Sequence, residues 1–359
     1  MIARNTAFTY KGKHIDVKQI GGDLNVSYVL EGSVQRGGNR LRVNVQLIDS
    51  ESGAHLWAER FDKPVADLFD LQDEIVARLA NQLNTELVAA EALRAERAPT
   101  PDAMDLTFRA WALHNRGNAT MAQARTLFHD ALTLDPANVE ALAGLALTSS
   151  RMVWWQSARN PDELLAEAEN AAARALALAP RHPVSLYALG EICTLSKRRA
   201  EAISAFEQAI AANPNLAGAH AYVGLAKAAS GLQLEDVEGH ITRAFRLSPR
   251  DTSASFWCNI AGGANIFLGR YEAAESWIRR ALEFDRNYAN AYFYLAAVLV
   301  EQGRIAEAQK LVKDGLAINP AFSAARARAN LVALWDNPAL LARLDRFYDD
   351  MRKAGAPEG

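Results

Sequence analysis

Residues 183–214 read PVSLYALGEICTLSKRRAEAISAFEQAIAANP, and this stretch decides the fold. Counted from Pro183, Leu186, Leu189, Gly190 and Cys193 take positions 4, 7, 8 and 11. Ala202, Phe206, Ala209 and Pro214 take positions 20, 24, 27 and 32. Gly190 and Ala202 are small enough to let two antiparallel helices approach closely. Phe206 fills the space beside them, and Pro214 stops the second helix because it cannot continue one.

A single helical pair cannot bury its own apolar face, so the unit has to recur. Helix-ending prolines stand at Pro136, Pro180, Pro214, Pro249 and Pro320, with Arg286 in the slot between the last two. The intervals are 44, 34, 35, 37 and 34 residues. Five residues before these stops come Ala131, Ala175, Ala209, Ala244, Ala281 and, in the last unit, Gly315. Ala124 and Phe128, Val237 and Ile241, Ala274 and Ile278, and Ala308 and Val312 repeat the small-then-large pair. Six units follow, at roughly 105–138, 139–182, 183–216, 217–251, 252–288 and 289–322. The pattern resembles the tetratricopeptide repeat, with Leu186 for its Trp and Cys193 for its Tyr. The expected fold is an α+β amino-terminal module followed by an all-α solenoid.

Half of the 359 residues are apolar, enough for a sizeable core. The formal net charge of -3 argues against bulk nucleic-acid binding by this chain. Two cysteines, Cys193 and Cys258, fall on the first helices of different repeats and read as buried free thiols rather than a disulfide framework. MIARNTAFTYKGK has no apolar run of signal length, and no stretch approaches 18 apolar residues. The chain is therefore expected to be soluble and, by default, cytoplasmic.

Residues 1–98 lack the repeat. Ile2 to Arg4 suit a short strand, and Asp16 caps a helix to Leu24 with Val17, Ile20 and Leu24 on one face. Alternation then begins. Tyr28, Leu30, Gly32 and Val34 share a face, as do Leu41, Val43, Val45 and Leu47. Gly37-Gly38-Asn39 supplies a hairpin turn, and Ser50-Glu51-Ser52-Gly53 leads into His55 to Phe61. Residues 27–62 thus read as a three-strand antiparallel meander with one buried face. A long helix from about Leu68 to Glu96 carries the stripe Leu68, Leu71, Ile75, Leu79, Leu83 and Leu87. Asp70, Asp73 and Glu74 fall on its polar side. Pro99-Thr100-Pro101 breaks it, with 99–104 as linker.

YKGK at 10–13, YVLEGSV at 28–34, RVNVQLID at 42–49 and GAHLWAERFD at 53–62 together resemble the TolB-like amino-terminal module of many bacterial proteins. That module often precedes tetratricopeptide repeats, and commonly follows a class III adenylate/guanylate cyclase or a winged-helix DNA-binding domain. The resemblance covers about residues 2–90 and begins at what looks like the module's second strand. The sheet is then incomplete, and its unpaired edge invites homodimer pairing. Under this resemblance the chain is the regulatory or sensory half of a cyclase or winged-helix regulator.

No catalytic signature accompanies it. There is no GxxxxGK[ST] loop, no GxGxxG turn and no HExxH helix. Histidines at 14, 55, 114, 129, 182, 220 and 240 show no metal-ligand spacing. Nothing groups a nucleophile with its base. The expectation is a chain with no catalytic residues, no metal and no cofactor, which binds a protein or peptide.

In this repeat type, positions 2, 5, 9, 12 and 13 usually face the concave groove. Carried over, they give Arg109 and Arg116, then Val184, Tyr187 and Glu191. The fifth unit gives Phe256, Asn259 and Ile266, and the sixth Asn290, Phe293 and Val300. Aromatic and amide groups of this kind suit an extended peptide or a helix. The alternative is that several simply pack between repeats. The second unit holds a ten-residue insertion with Trp154-Trp155, which would either anchor a partner or fold over a neighbouring repeat. Ser323–Leu334 and Pro338–Lys353 read as two closing helices. In the second, Leu341, Leu344 and Phe347 stand against a wet face of Arg343, Asp345, Asp349 and Asp350.

Overall fold

A computed structural model describes residues 6–7, 9–13, 15–64, 68–154, 160–230, 234–334 and 338–359. The strand expected at 2–4 and Trp155 lie outside the described residues. So do the side chains of Leu68, Asp70, Leu71, Asp73 and Glu74. The chain divides into two compact units, Met1–Leu93 and Arg94–Gly359. The division falls in the last turn of the long helix, ahead of the expected Pro99-Thr100-Pro101 break.

In the first unit, helix α1 (Val17–Leu24) is capped by Asp16, whose carboxylate accepts from Lys18 N at 2.9 Å. Gly21 and Gly22 lie inside this helix. Its stop is Asn25, in the left-handed region at φ 50°. Gly21 is small so that α1 can press on Ser50, where an added Cβ would stand 2.5 Å from the hydroxyl. Strands β1 (Tyr28–Gly37), β2 (Arg40–Asp49) and β3 (His55–Pro64) form the antiparallel meander in the order β1-β2-β3. Gly38, at φ 58°, makes the first tight connection. At the second, the Asp49 carboxylate accepts from the amides of Glu51 and Ser52.

The register pairs Leu30 with Leu47, Gly32 with Val45 and Val34 with Val43. The expected buried face is therefore continuous in register but only partly covered. Val45, Leu47 and Phe61 are buried, whereas Leu30 and Val34 on edge strand β1 are 48% and 67% exposed. Helix α2 (Leu68–Ala95) explains the difference. Its Ile75 and Leu79 pack on Val45, Phe61, Val43 and Trp57, over β2 and β3.

The second unit consists of antiparallel helical hairpins. They are α3 (Ala103–Asn115) with α4 (Met121–Leu134), α5 (Val139–Trp154) with α6 (Pro161–Leu178), and α7 (Pro183–Leu195) with α8 (Arg199–Ala212). Then come α9 (Ala217–Ala229) with α10 (Val237–Leu247), α11 (Ala254–Leu268) with α12 (Tyr271–Phe284), and α13 (Ala289–Glu301) with α14 (Ile305–Ile318). α3 starts inside the expected linker, where Asp102 and Asp105 form a reciprocal capping box. Each outer helix closes alike. The amide of the residue before the stop donates to the carbonyl of Ala131, Ala175, Ala209, Ala244, Ala281 or Gly315. Those five alanines are fully buried.

A following proline forces the cap residue out of helical angles. Asp285 reaches the same extended conformation, φ -145° and ψ 105°, ahead of Arg286. Its carboxylate accepts from Asn287 N at 2.8 Å, the same side-chain turn that Asp135 and Asn213 make ahead of Pro136 and Pro214, so the turn forms with or without proline. The close approach expected within a hairpin is present. Gly190 meets the Phe206 ring and Gly262 meets Ile278.

Two further helices, α15 (Ala324–Leu334) and α16 (Pro338–Lys353), complete the unit. The expected wet face of α16 is corrected at Asp350, which is buried with Leu344, Phe347, Tyr348 and Met351. The reason is position: α16 packs on the inner helices α13 and α11 rather than capping the end of the stack. Among the described residues, no helix is long and apolar enough to cross a membrane.

Candidate functional site: the inner-helix groove

The inner wall is built from the first helix of each hairpin. Its amino-terminal part is a buried polar network. Arg151 on α5 donates to Tyr187 OH on α7 and to His114 Nε2 on α3, both at 3.1 Å. Since His114 Nε2 accepts, its Nδ1 carries the proton and donates to Thr148 Oγ1 at 2.8 Å. Ser150 Oγ donates to Glu191 Oε2 at 3.1 Å, and Glu191 Oε1 lies 3.5 Å from Arg151 Nε. Burial first, and Arg151 second, push the His114 pKa well below its ordinary value. Burial also raises Glu191, against the pull of Arg151.

The middle of the wall is aromatic. Tyr187 meets Tyr222 at 5.7 Å between ring centroids. Trp154, at the last turn of α5, meets both Tyr222 and Phe256 edge-on at 5.8 Å. Trp154 thus belongs to the end of α5 rather than to a loop. It reaches across the wall to the fourth and fifth hairpins.

Beyond Phe256 a cavity of about 580 Å³ opens. Trp154, Phe256, Asn259, Asn290 and Ile266 line it, with Tyr288 and Tyr294 beside them. Phe322, Arg326, Phe347 and Tyr348 close its far side. The Asn259 amide donates to Tyr294, and burial pushes that phenol up to about 12. The carbonyl oxygen of Asn259 is buried with no hydrogen-bond partner among the described residues. Among the described residues the wall thus offers aromatic area, amide groups and one cation, Arg326, and is suited to holding a peptide backbone or an apolar side chain.

The cavity brings together Phe256, Asn259, Ile266 and Asn290 from the expected groove set, with Trp154, expected as a loop anchor. It does not include Arg109, Tyr187, Glu191 or Phe293. Arg109 is half-buried on α3, and Arg116 is exposed beyond the helix end. Tyr187, Glu191 and Phe293 are buried in packing, Phe293 with its ring stacked on Phe322. The spacing explains this. Tyr187, Tyr222, Asn259 and Phe293 each stand 22 residues before Ala209, Ala244, Ala281 and Gly315, and all four are buried. That position faces the neighbouring helices, and of the four Asn259 alone also borders the cavity. Phe256 and Asn290, three residues earlier than Asn259 and Phe293, reach open space.

Sequence reasoning missed Arg151, Tyr222, Tyr288 and Tyr294. Counting back 22 residues from Ala244 would have found Tyr222. Arg151 falls at position 13 of the second unit, counted from Val139, so carrying the groove positions onto that unit would have found it. Lys197-Arg198-Arg199, a basic point between paired helices, is tied down at Arg198, which pairs with Glu169 at 2.6 Å and Glu201 at 3.3 Å. No group of three or more His, Cys, Asp or Glu among the described residues is placed to hold a metal ion.

Tetratricopeptide repeat models match residues 184–216 and 268–331. A Rhizobium meliloti protein named "Putative adenylate cyclase 3" is 41% identical over 170 residues, which is 46% of this chain and 29% of that protein. A chain of the APC/C hetero-tetramer Cut9–Hcn1 superposes with a TM-score of 0.55 at 16% identity, covering 75% of this chain and 47% of that one. The human IFIT1 dimer with m7Gppp-AAAA gives a TM-score of 0.54 at 16% identity, covering 81% and 68%. The chain thus spans under a third of the cyclase-named relative. The helical unit is a tetratricopeptide-like solenoid, joined in sequence to a small antiparallel sheet.

Proposed function

We propose that this chain is a non-catalytic scaffold that holds a peptide or helix of a partner protein in its inner-helix groove. One observation carries the reading: the 580 Å³ cavity, lined by Trp154, Phe256, Asn259 and Asn290. Aromatic rings supply contact area at low entropic cost, and amides meet backbone groups. Among the described residues the lining carries one cation, Arg326, and is mostly aromatic and aliphatic, which suits a peptide better than a phosphate backbone. The capped RNA held by IFIT1 belongs to that protein. The test is selection from a displayed peptide library against the full chain, followed by titration of Phe256→Asp. Selected peptides are expected to lose about tenfold or more in affinity, the loss of one buried aromatic anchor. Peptides that bind both chains equally would place the site elsewhere.

A second reading is favoured by the cyclase-named relative. In it the chain is the regulatory half of an adenylate cyclase, or of a winged-helix regulator, with the first unit as a TolB-like part. An in-frame cyclase or winged-helix domain upstream of Met1 supports it, and a stop codon directly upstream refutes it. Cyclic AMP made from ATP and a divalent metal by the purified chain would overturn the non-catalytic reading in either form. The exposed edge of β1, with Leu30 and Val34 outward, supports self-pairing of the first unit. Sedimentation of Val34→Lys, expected to shift toward monomer, checks it. We place the chain in the cytoplasm, which cell fractionation tests.

A further inference from the structure

Earlier inner helices in the stack lie along the outer helix before them. The pairs are α4 with α5, α6 with α7, α8 with α9, α10 with α11, and α12 with α13. Among the described residues α15 does not lie along α14 in that way. The closing hairpin is held instead by α16, which lies on α13 and also touches α11. These are groove-forming helices, so a segment of this chain already sits where a partner would.

Its contacts show what the seat accepts. Phe347 meets Tyr294 edge-on at 4.9 Å. Arg346 forks onto Glu301, with Nε to Oε1 and Nη2 to Oε2 both at 2.6 Å. Leu344, Tyr348 and Met351 are buried alongside. An arginine followed by two aromatic residues on an amphipathic helix is thus the pattern that the wall recognises.

The same seat is loosely filled. The 580 Å³ cavity remains on one side of the hairpin. A second space of about 220 Å³ lies between Arg343, Arg346, Phe347 and Asp350 of α16, Ile266, Val298 and Glu301 of the wall, and Tyr271 at the start of α12. Both spaces open to solvent, so water borders α16 along two sides of its seat. The carboxyls of Asp350 and Glu301 also face one another. The hairpin is closed on itself as well. Ala324 N donates to Pro357 O at 2.8 Å and Ala325 N to Glu358 O at 3.0 Å, so the tail beyond α16 caps α15. It can lift away without leaving those helix-end amides unpaired.

We infer that the α15–α16 hairpin is a displaceable occupant of the groove, and that the partner is an amphipathic helix with an arginine beside an aromatic pair, which takes the place of α16 on Tyr294 and Glu301. This rests on the groove reading above and names its occupant and its control. An internal competitor lowers apparent affinity by the fraction of chains in which the seat is open. Loosening α16 therefore tightens binding of an external helix.

The probe is a fluorescein-labelled peptide of residues 338–353, titrated by anisotropy into the full chain. Arg346→Glu in the chain, at an exposed position, leaves the peptide's own arginine intact. This variant is expected to bind at least roughly tenfold tighter than the wild type. Adding Glu301→Lys removes the anchor and abolishes the gain. Hydrogen exchange of the unaltered chain is the second measurement. Amides of 343–351 are expected to exchange roughly a hundredfold or more faster than those of 295–299, by local opening. Equal protection of the two segments, or no tightening with Arg346→Glu, overturns the inference. The groove reading fails separately, through peptide selection that is indifferent to Phe256→Asp.

Discussion

Gly190 lies against the ring of Phe206, so that a Cβ added to the glycine would stand 2.5 Å from two ring carbons. Phe206 is fully buried and has no room to retreat. Gly190→Ala is therefore expected to destabilise the solenoid by about 1–3 kcal/mol. Gly239 on α10 is the control, since an added Cβ there meets nothing within 4 Å. Gly239→Ala should stabilise by about 0.5–1 kcal/mol through the unfolded chain. Denaturant titration of both variants checks the pair. Equal shifts would mean that the helices are not held at this distance.

Glu191 is buried and Arg151 largely so, and the two face each other across two hairpins. Removing one partner strands the other, so Glu191→Leu alone should cost about 3–5 kcal/mol. Arg151→Met together with Glu191→Leu should cost much less, because no charge is left without its mate. A double-mutant cycle measures the difference. Additive losses would show that the two side chains act independently.

Asp350 gives a pH dependence. Burial first, then Glu301, push its carboxyl up to about 6 from the ordinary 3.8, against the pull of Lys353. Burial also opposes charge on Glu301, but Arg346, Asp350 and Tyr271 hold it below the usual range. The folded state thus holds the Asp350 proton more tightly than the unfolded state does. The resulting stability is full below about 4 and is lost as pH rises through about 6. His114 acts in the opposite sense, being buried neutral, and its contribution is lost as pH falls below its ordinary 6.5. After correction for intrinsic rates, amides of α16 should open more often at pH 8 than at pH 5. Asp350→Asn should remove that difference, and its persistence would point to another group.

Cys193 and Cys258 are buried free thiols, pushed by burial up to about 11 and about 12. Neither should react with a thiol reagent at pH 8 while the chain is folded, and both should react in denaturant. Rapid labelling of either in the native protein would contradict the packing of α7 or α11.

The hairpins were legible because their signal is local and repeated. Ala209 and its counterparts must be small wherever two helices touch, and the stop five residues later is set by backbone chemistry. The meander was legible for the same reason, through strict alternation in β2. What the sequence hid was direction. Tyr187 and Phe256 are both aromatic residues on inner helices, yet a three-residue difference in repeat position buries one and opens the other. The seat of α16 was hidden too. Its amphipathic pattern suits a terminal cap and a groove occupant equally, and Asp350 reads as wet until Glu301 is seen beside it.

The reach of Trp154 to Tyr222 and Phe256 has a consequence for how the array comes apart. Stacked repeats are commonly treated as a train whose carriages couple only to the next one, so that either end can peel off. Here a ring from the second carriage is bolted to the fourth and fifth, and Arg151 ties the first to the third. Neither deleting an interior repeat nor splicing in a spare would leave those bolts aligned, and the central stretch should melt as one block.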